Sequence, residues 1–330
     1  MNVPVTIVIP VHNGRELLEK LLRSIARQSA APLEVIVVDD GSTDGAAEYA
    51  LLAGARVIAM GGNRGFAAAV NRGIREAKGE SIALINSDVE LDTRWLETLW
   101  DTGGAADFAT GKILQTGSDH ILDGSYDLIC RGGCSWRAGA GRPVATLPDI
   151  VSNIRFCSAT AAVFKAELFR QAGPFEELFE SYLEDVDFGL RCIAAERVGT
   201  YSPGAVCWHQ GSATLGRWNA QVVRLISRNQ VFLIARHYPA KLIRRWFWHI
   251  VVAHALWGGL AIRHGCGVAW VRGKFEGLRR FRAVRRAAGS PAGNLAPAIV
   301  ESEREIYRLQ SESGFDAYWQ LYFRLIGSPR

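Results

Sequence analysis

A chain of 330 residues that is 48% apolar has material for one large domain, or one domain with an appendage, and is too apolar for a disordered chain. Its six cysteines (Cys130, Cys134, Cys157, Cys192, Cys207, Cys266) form no CxxC pair, which argues against a zinc framework and for reduced thiols in the cytosol. The net charge of +5 is local: residues 241–286 hold eleven basic side chains against Glu276 alone, so that segment carries +10 and the remainder −5, which points to a docking surface.

The opening MNVPVTIVIP has no basic n-region and reads as a buried strand rather than a secretory leader. VTIVI (5–9) and LEVIVV (33–38) are β-branched runs separated by Leu17, Leu18, Leu21, Leu22 and Ile25 at helical spacing, a βαβ unit. ARVIAM (55–60) and SIALI (81–85) supply two more strands, with GFAAAVNRGIREAKG (65–79) between them as a helix ending in Gly79. This alternation predicts an α/β fold whose parallel sheet is covered on both faces and binds its ligand at the carboxyl ends of the strands. Polar groups collect at those ends: Pro10, His12, Asn13 and Gly14; Asp39 through Asp44; Asn86, Ser87 and Asp88.

From about 100 to 150 the periodicity fades into GGCSWRAGAG (132–141) and its surroundings, read as long loops lining an acceptor cleft. RFCSATAAVF (155–164) is strand-like, KAELFRQAG helical, and TYSPGAVCWHQG (200–211) strand-like again. Between them ESYLEDVDFGLR (180–191) gathers Glu180, Glu184, Asp185 and Asp187. As a helix it sets Glu184 and Asp187 close on one face, while Val186 and Leu190 turn to another. That pattern suits a catalytic cluster or a solvated acidic first turn favoured by the helix dipole.

After about 218 the chain reads as helices rich in Trp and Arg. The apolar run from Trp246 to Ile262, flanked by Arg245 and Arg263, would span ~26 Å against a hydrocarbon core of ~30 Å. His249, His254, Gly258 and Gly259 also weigh against a spanning helix. The reading is a helix lying at the membrane interface, anchored by Trp and Arg, with a buried helix or an oligomer contact as the alternative. The tail from 298 to 330 reads as docking helices.

IPVHNG lacks the G-x-G-x-x-G that a dinucleotide needs, and GxxxxGK[ST] is absent, which sets aside dehydrogenases and P-loop nucleotidases. Asp88, after an apolar strand, is placed as a single metal ligand or a helix cap would be. A hard divalent cation completes its shell with waters and substrate phosphates, so one or two protein carboxylates suffice.

VTIVIPVHNGRELLEKLLRSIARQS, LEVIVVDDGSTDG, NRGFAAAVNRGI, ALINSDVELDTRWLE, YLEDVDFGLR and AVCWHQGSAT together resemble the family-2 glycosyltransferases of the GT-A fold. The rhamnosyltransferase-like branch is the most similar, SRNQVFLIARHYP (227–239) included, and the motifs run in their usual order over about 1–240. The resemblance implies a GT-A domain with a mostly parallel central sheet over 1–218 and a C-terminal helical extension over 219–330. It implies that Pro10, Val11, Asp39 and Asp40 border the nucleotide base, and that Gly65 and Asn71 approach the nucleotide and sugar. Asp88 matches the last, metal-contacting position of the family's DxD motif. Asn86 stands where the first acid would be, a departure that leaves it to the ribose or sugar. His209 resembles the late histidine that completes a Mn²⁺ or Mg²⁺ shell, with a satisfied structural histidine as the alternative. Asp185 matches the general base and Glu184 the neighbour that positions it or the acceptor, while Asp187 supports them, in contact with Arg191 one turn on.

The expectation is an inverting, metal-dependent transferase of cell-wall or polysaccharide biosynthesis. It would move a deoxysugar such as rhamnose from a dTDP-sugar, ahead of a UDP-sugar, to a lipid-linked or cell-surface glycan. It would work in the cytoplasm as a peripheral protein at the inner membrane face, where each basic residue near an anionic leaflet contributes about 1 kcal/mol. The alternative from another class is a non-catalytic glycan-binding or scaffolding member, against which Asp40, Asp88 and Asp185 stand in register. No nucleic-acid partner is expected: Trp246, Trp248, Trp257 and Trp270 interleave with arginines, but the apolar run suits lipid better than bases.

Overall fold

The computed structural model describes residues 1–103, 106–211, 218–289 and 295–329. Ser212, Ala213 and Thr214, which end the AVCWHQGSAT motif, lie outside the described residues.

Seven consecutive buried residues form β1 (Val5–Val11), apolar toward both faces as a central strand must be. α1 (Arg15–Ala26) covers one face through Leu18, Leu21, Leu22 and Ile25. β2 (Glu34–Asp39), α2 (Ala46–Leu52), β3 (Arg56–Ala59), α3 (Phe66–Glu76) and β4 (Ser81–Ile85) continue the alternation, and β3-β2-β1-β4 pair in parallel. α3 stops at Glu76, short of the expected Gly79. Ala77 turns extended, and the amides of Lys78 and Gly79 bond the side chains of Thr6 and Glu34 instead of continuing the helix.

Next come β5 (Val89–Leu91), α4 (Trp95–Gly103), β6 (Phe108–Gln115), the short strands β7 (Leu122–Gly124), β8 (Asp127–Ile129), β9 (Ser135–Arg137) and β10 (Ser152–Ile154), and β11 (Ala161–Lys165). α5 (Ala166–Gln171), α6 (Glu184–Ala194) and β12 (Gly199–His209) complete the sheet region. The 100–150 stretch is therefore not all loop: β6 is an eight-residue strand in the middle of the sheet. FATGKILQ disguises it, because a strand buried on both faces does not alternate and Gly111 interrupts it. A Cβ at Gly111 would lie 1.8 Å from the carbonyl oxygen of Ala205 on neighbouring β12. The sheet order is β10-β12-β6-β11-β4-β1-β2-β3, with β5 on β12 and β7 on β6. Its β4-to-β3 half is parallel, while β11 runs antiparallel to both neighbours and β12 parallel to β6.

Among the described residues six helices follow: α7 (Ala220–His237), α8 (Ala240–Arg245), α9 (Phe247–Arg263), α10 (Gly267–Ala288), α11 (Ala296–Ser313) and α12 (Ala317–Ile326). α10 lies along α7, tied by Arg224 to Glu276 at 2.7 Å and by Lys274 to Gln230 at 2.7 Å. α11 and α12 place Ile306, Leu309, Trp319, Tyr322 and Phe323 in the same apolar cluster as Leu128 and Phe164 of the sheet region. Among the described residues no helix is long and apolar enough to cross a membrane. α9 is two-sided: Ala253, Gly258 and Ala261 are buried, and Phe247, Trp248, Val251 and Ile262 are exposed.

Candidate active site

The carboxyl ends of β1, β2 and β4, the start of α6 and the end of β12 open on one cleft of about 1650 Å³. Pro10, Val11, Asp40, Gly65, Asn86, Asp88, Glu184, Asp185 and His209 all line it; Asp39 and Asn71 do not.

At one end, the buried Asp40 carboxylate accepts the backbone N–H groups of Arg64 at 2.7 Å and Gly65 at 2.9 Å, pinning the 61–65 loop to the end of β2. Burial pushes its pKa above the usual carboxylate value, against the pull of those two donors. Gly65 has a left-handed φ of 90°, and a Cβ there would meet the Glu180 carbonyl at 3.1 Å. Asp39 shapes the adjoining turn, its Oδ1 accepting the Ser42 N–H at 2.9 Å. Asn71 is only 1% exposed, and its amide is spent on the backbone of Phe175, through bonds of 2.8 and 2.9 Å, and on Glu177 at 3.0 Å. The Asn71 side chain is thus engaged with the 175–177 segment and does not line the cleft where its contact with nucleotide and sugar is expected.

In the same cleft, His209 Nε2 lies 3.1 Å from Asp88 Oδ1, and its Nδ1 donates to Asp123 Oδ2 at 2.8 Å. Arg137 holds Asp123 in turn at 3.1 Å. Burial pushes the His209 imidazole down, but hydrogen bonds to Asp123 and Asp88 lift it to about 9. Burial likewise raises Asp123, which His209 and Arg137 bring below the usual carboxylate range. Asp123 thus stands behind a histidine as a carboxylate that sets its tautomer and ring orientation. Asn86 Oδ1 is buried in the cleft wall with no hydrogen-bond partner among the described residues.

The third group comprises Asp127, Glu184 and Asp185. Asp127 and Glu184 are buried, and Oδ2 of the first and Oε2 of the second have no partner among the described residues. Burial, reinforced by the Asp185 charge, pushes both well above the carboxylate range. Arg137 Nε, 3.9 Å from Asp127, is the nearby cation. Asp187 turns the other way: it is fully buried and meets Arg191 at 3.0 Å, Arg236 at 2.7 Å and His237 at 2.8 Å. The support expected from Arg191 is present, and Arg236 and His237 of the SRNQVFLIARHYP stretch add to it.

Sequence reasoning missed Asp123, Asp127 and Arg137. The signal was there in ILDGSYDL, where two acids interrupt a strand-like run, but only pairing of β7 with β6 and β8 with β9 brings them to the cleft.

The profile of glycosyl transferase family 2 matches residues 6–173, just over half of the chain. The chain belongs to that family. Among curated relatives, this glycosyltransferase is 25% identical over 277 residues to an N-acetylglucosaminyl-diphospho-decaprenol L-rhamnosyltransferase of Mycobacterium tuberculosis, covering 74% of this chain and 87% of the relative. It is 30% identical over 222 residues to a pre-mycofactocin glycosyltransferase of the same organism, covering 66% of this chain and 45% of that one. Among solved structures, GalNAc-T7 with UDP, GalNAc and Mn²⁺ superposes with a TM-score of 0.60 at 12% identity, over 98% of this chain and 56% of that chain. That likeness shows the GT-A fold.

Asp88 and His209 are the pair of cleft side chains that would hold a divalent metal. Among the described residues no cluster of three or more His, Cys, Asp or Glu side chains is arranged to hold an ion, so the pair would depend on substrate oxygens to complete the shell. The Nδ1–H bond to Asp123 leaves Nε2 as the nitrogen that would face an ion, once it has lost its proton. The unpartnered Asn86 oxygen beside Asp88 adds a neutral acceptor to the same wall.

Proposed function

We propose that this glycosyltransferase is an inverting, divalent-metal-dependent enzyme. It transfers a sugar, rhamnose or another deoxyhexose, from a dTDP- or UDP-sugar to a hydroxyl of a lipid-linked or cell-surface glycan. The observation that carries the reading is that one cleft is lined by both the Asp88–His209 pair and the Asp127–Glu184–Asp185 cluster, joined through Arg137. Residues 1–218 form the catalytic GT-A domain, and 219–330 the helical region that brings it to a membrane.

Pro10, Val11 and Asp40 border the base, and Asn86 meets the ribose or sugar. Asp88 and His209 hold Mn²⁺ or Mg²⁺, which when bound offsets the charge that grows on the departing nucleoside diphosphate. With Asp127 and Glu184 pushed toward their protonated forms, the accepting role falls to Asp185. Its carboxylate takes the acceptor hydroxyl proton as that oxygen attacks the anomeric carbon from the face opposite the leaving group, which inverts the centre. Glu184, whose burial favours the protonated form, is suited to donate a hydrogen bond to the acceptor.

The L-rhamnosyltransferase name of one relative supports the deoxyhexose, and its decaprenol-linked substrate supports a lipid-linked acceptor. Exposed Phe247, Trp248, Ile262, Val268, Phe275 and Leu278, interleaved with Arg244, Arg245, Arg263, Arg272 and Arg279, support docking at the anionic cytoplasmic face. The test is a panel of nucleotide sugars scored by NMR for donor consumption with Mn²⁺, Mg²⁺ or EDTA, with a polyprenyl-linked saccharide supplied. Turnover of one donor, stopped by EDTA and by Asp88→Ala, is expected. Silence with every donor, and no nucleotide bound, would replace this reading with a non-catalytic glycan-binding or scaffolding role.

A further inference from the structure

Asp185 is the second residue of α6, and the turn before it aims it. Glu180 has φ 61° and ψ −70°, and the Ser181 N–H donates to the Phe179 carbonyl at 2.7 Å, a γ-turn in its rare φ-positive form. Tyr182 (φ 70°) and Leu183 (φ 69°) are also left-handed, and none of the three is glycine. Left to itself such a segment would relax, and α6 would start at a different angle.

The restraint comes from α7. Asn229 is fully buried, and its Nδ2 reaches the carbonyls of Phe179 at 2.9 Å, Ser181 at 2.9 Å and Tyr182 at 2.8 Å. Arg228 is 3% exposed; its guanidinium donates to the Phe179 carbonyl at 2.9 Å, to the Glu180 carboxylate at 2.5 Å and to Asn229 Oδ1 at 2.9 Å. On the far side the turn meets the start of α3: the Ala67 N–H donates to the Glu180 carbonyl at 3.0 Å and that of Phe66 to Ser181 Oγ at 3.4 Å. Those residues follow directly on Arg64 and Gly65, which Asp40 holds.

We infer that Asn229, braced by Arg228, is a positioning residue. It keeps the 179–183 turn in a conformation its own residues disfavour, and so sets Asp185 at a fixed place relative to the loop that Asp40 pins. The inference rests on the reading of Asp185 as the base. The strained residues lie immediately before the cluster, and Glu180, Ser181, Tyr182 and Leu183 themselves line the cleft, the usual place for a conformation that the surrounding structure must impose.

Asn229→Ala, Asn229→Ser and Asn229→Asp test it in the full chain, alongside Asp185→Asn. Asn229→Asp keeps the volume but points a carboxylate at three carbonyls, and Asn229→Ser keeps one donor. Because displacing a reacting group by ~1 Å costs ~10²-fold, kcat should fall about 100-fold in Asn229→Ala and Asn229→Asp and less in Asn229→Ser, with donor Kd within about twofold of wild type. Amide exchange over 179–185 should accelerate while the β1–β4 core stays protected. Asn229→Asp milder than Asn229→Ala would mean the side chain only fills space, and full kcat with accelerated exchange would mean the turn does not aim the base. Either result overturns the inference. Loss of transfer in Asp185→Asn with none in the Asn229 variants sinks the positioning role alone, whereas full transfer in Asp185→Asn sinks the base assignment beneath it. If Asn229→Ala fails to fold, Asn229→Ser carries the same comparison.

Discussion

The two ends of the cleft are built by different means. At the proposed donor end Pro10, Val11, Asp40 and Asn86 come off the carboxyl ends of neighbouring strands, so the sheet itself places them. At the proposed base end Asp185 follows a strained turn and Asp127 rides on a short strand, while a helix almost fifty residues downstream braces that turn through Asn229 and holds Asp187 through Arg236 and His237. A site set by adjacent strands tolerates distant change. A site assembled by long-range side-chain bonds depends on each of them.

That contrast orders the expected effects. The largest falls on Asp185→Asn, which removes the proposed proton acceptor and should cost ~10²–10⁴ in kcat while equilibrium dialysis finds donor binding unchanged. Next is Asp187→Asn, which leaves Arg191, Arg236 and His237 facing a group without charge; denaturant unfolding should show a loss of about 3–5 kcal/mol. Burial pushes Asp187 up, but its His237 hydrogen bond and the two guanidinium groups hold it below the ordinary carboxylate range. Its contribution is therefore present above the ordinary carboxylate pKa, near 4, and is lost as pH falls below that. The variant's stability should accordingly be flatter than wild type on the acid side, and a parallel acid limb in both proteins would show the bonds to be unimportant.

Smaller still is Asp123→Ala. It leaves Asp88 and His209 in place but frees the imidazole, and the loss of such support typically lowers metal affinity or activity ~10–100-fold, readable as the Mn²⁺ concentration giving half-maximal turnover. The smallest effect on chemistry belongs to the α9–α10 face. Trp248→Ala with Phe275→Ala should weaken binding to vesicles containing anionic lipid by up to roughly 1.5–3 kcal/mol per side chain, with turnover of a soluble acceptor unchanged. A drop in soluble turnover would mean that these side chains serve the cleft and not a surface.

The same contrast explains what the sequence disclosed. VTIVI and LEVIVV declare their strands by local pattern, so the polar residues at their ends could be gathered into one site before any coordinates. Gly65 and Asp40 are neighbours for the same reason. β6 escaped notice because burial on both faces erases alternation, and Asp123, Asp127 and Arg137 escaped with it, since strands of three residues carry almost no periodicity. Asn71 shows the opposite case: a polar residue in a familiar segment, soon after Gly65, whose side chain is engaged by the backbone of Phe175. The stretch 180–183 looked like the first turn of a helix, and its left-handed dihedrals depend on Asn229, a contact no local pattern contains.

The most direct test is a calorimetric titration of the preferred nucleotide sugar, with Mn²⁺, into wild type, Asp88→Ala and Asp185→Asn, with transfer rates measured on the same preparations. Donor affinity should collapse in Asp88→Ala and persist in Asp185→Asn, while both lose transfer. Equal donor affinity in all three proteins, or loss of affinity in Asp185→Asn, would contradict the division of the cleft into a metal-assisted donor end and a base end.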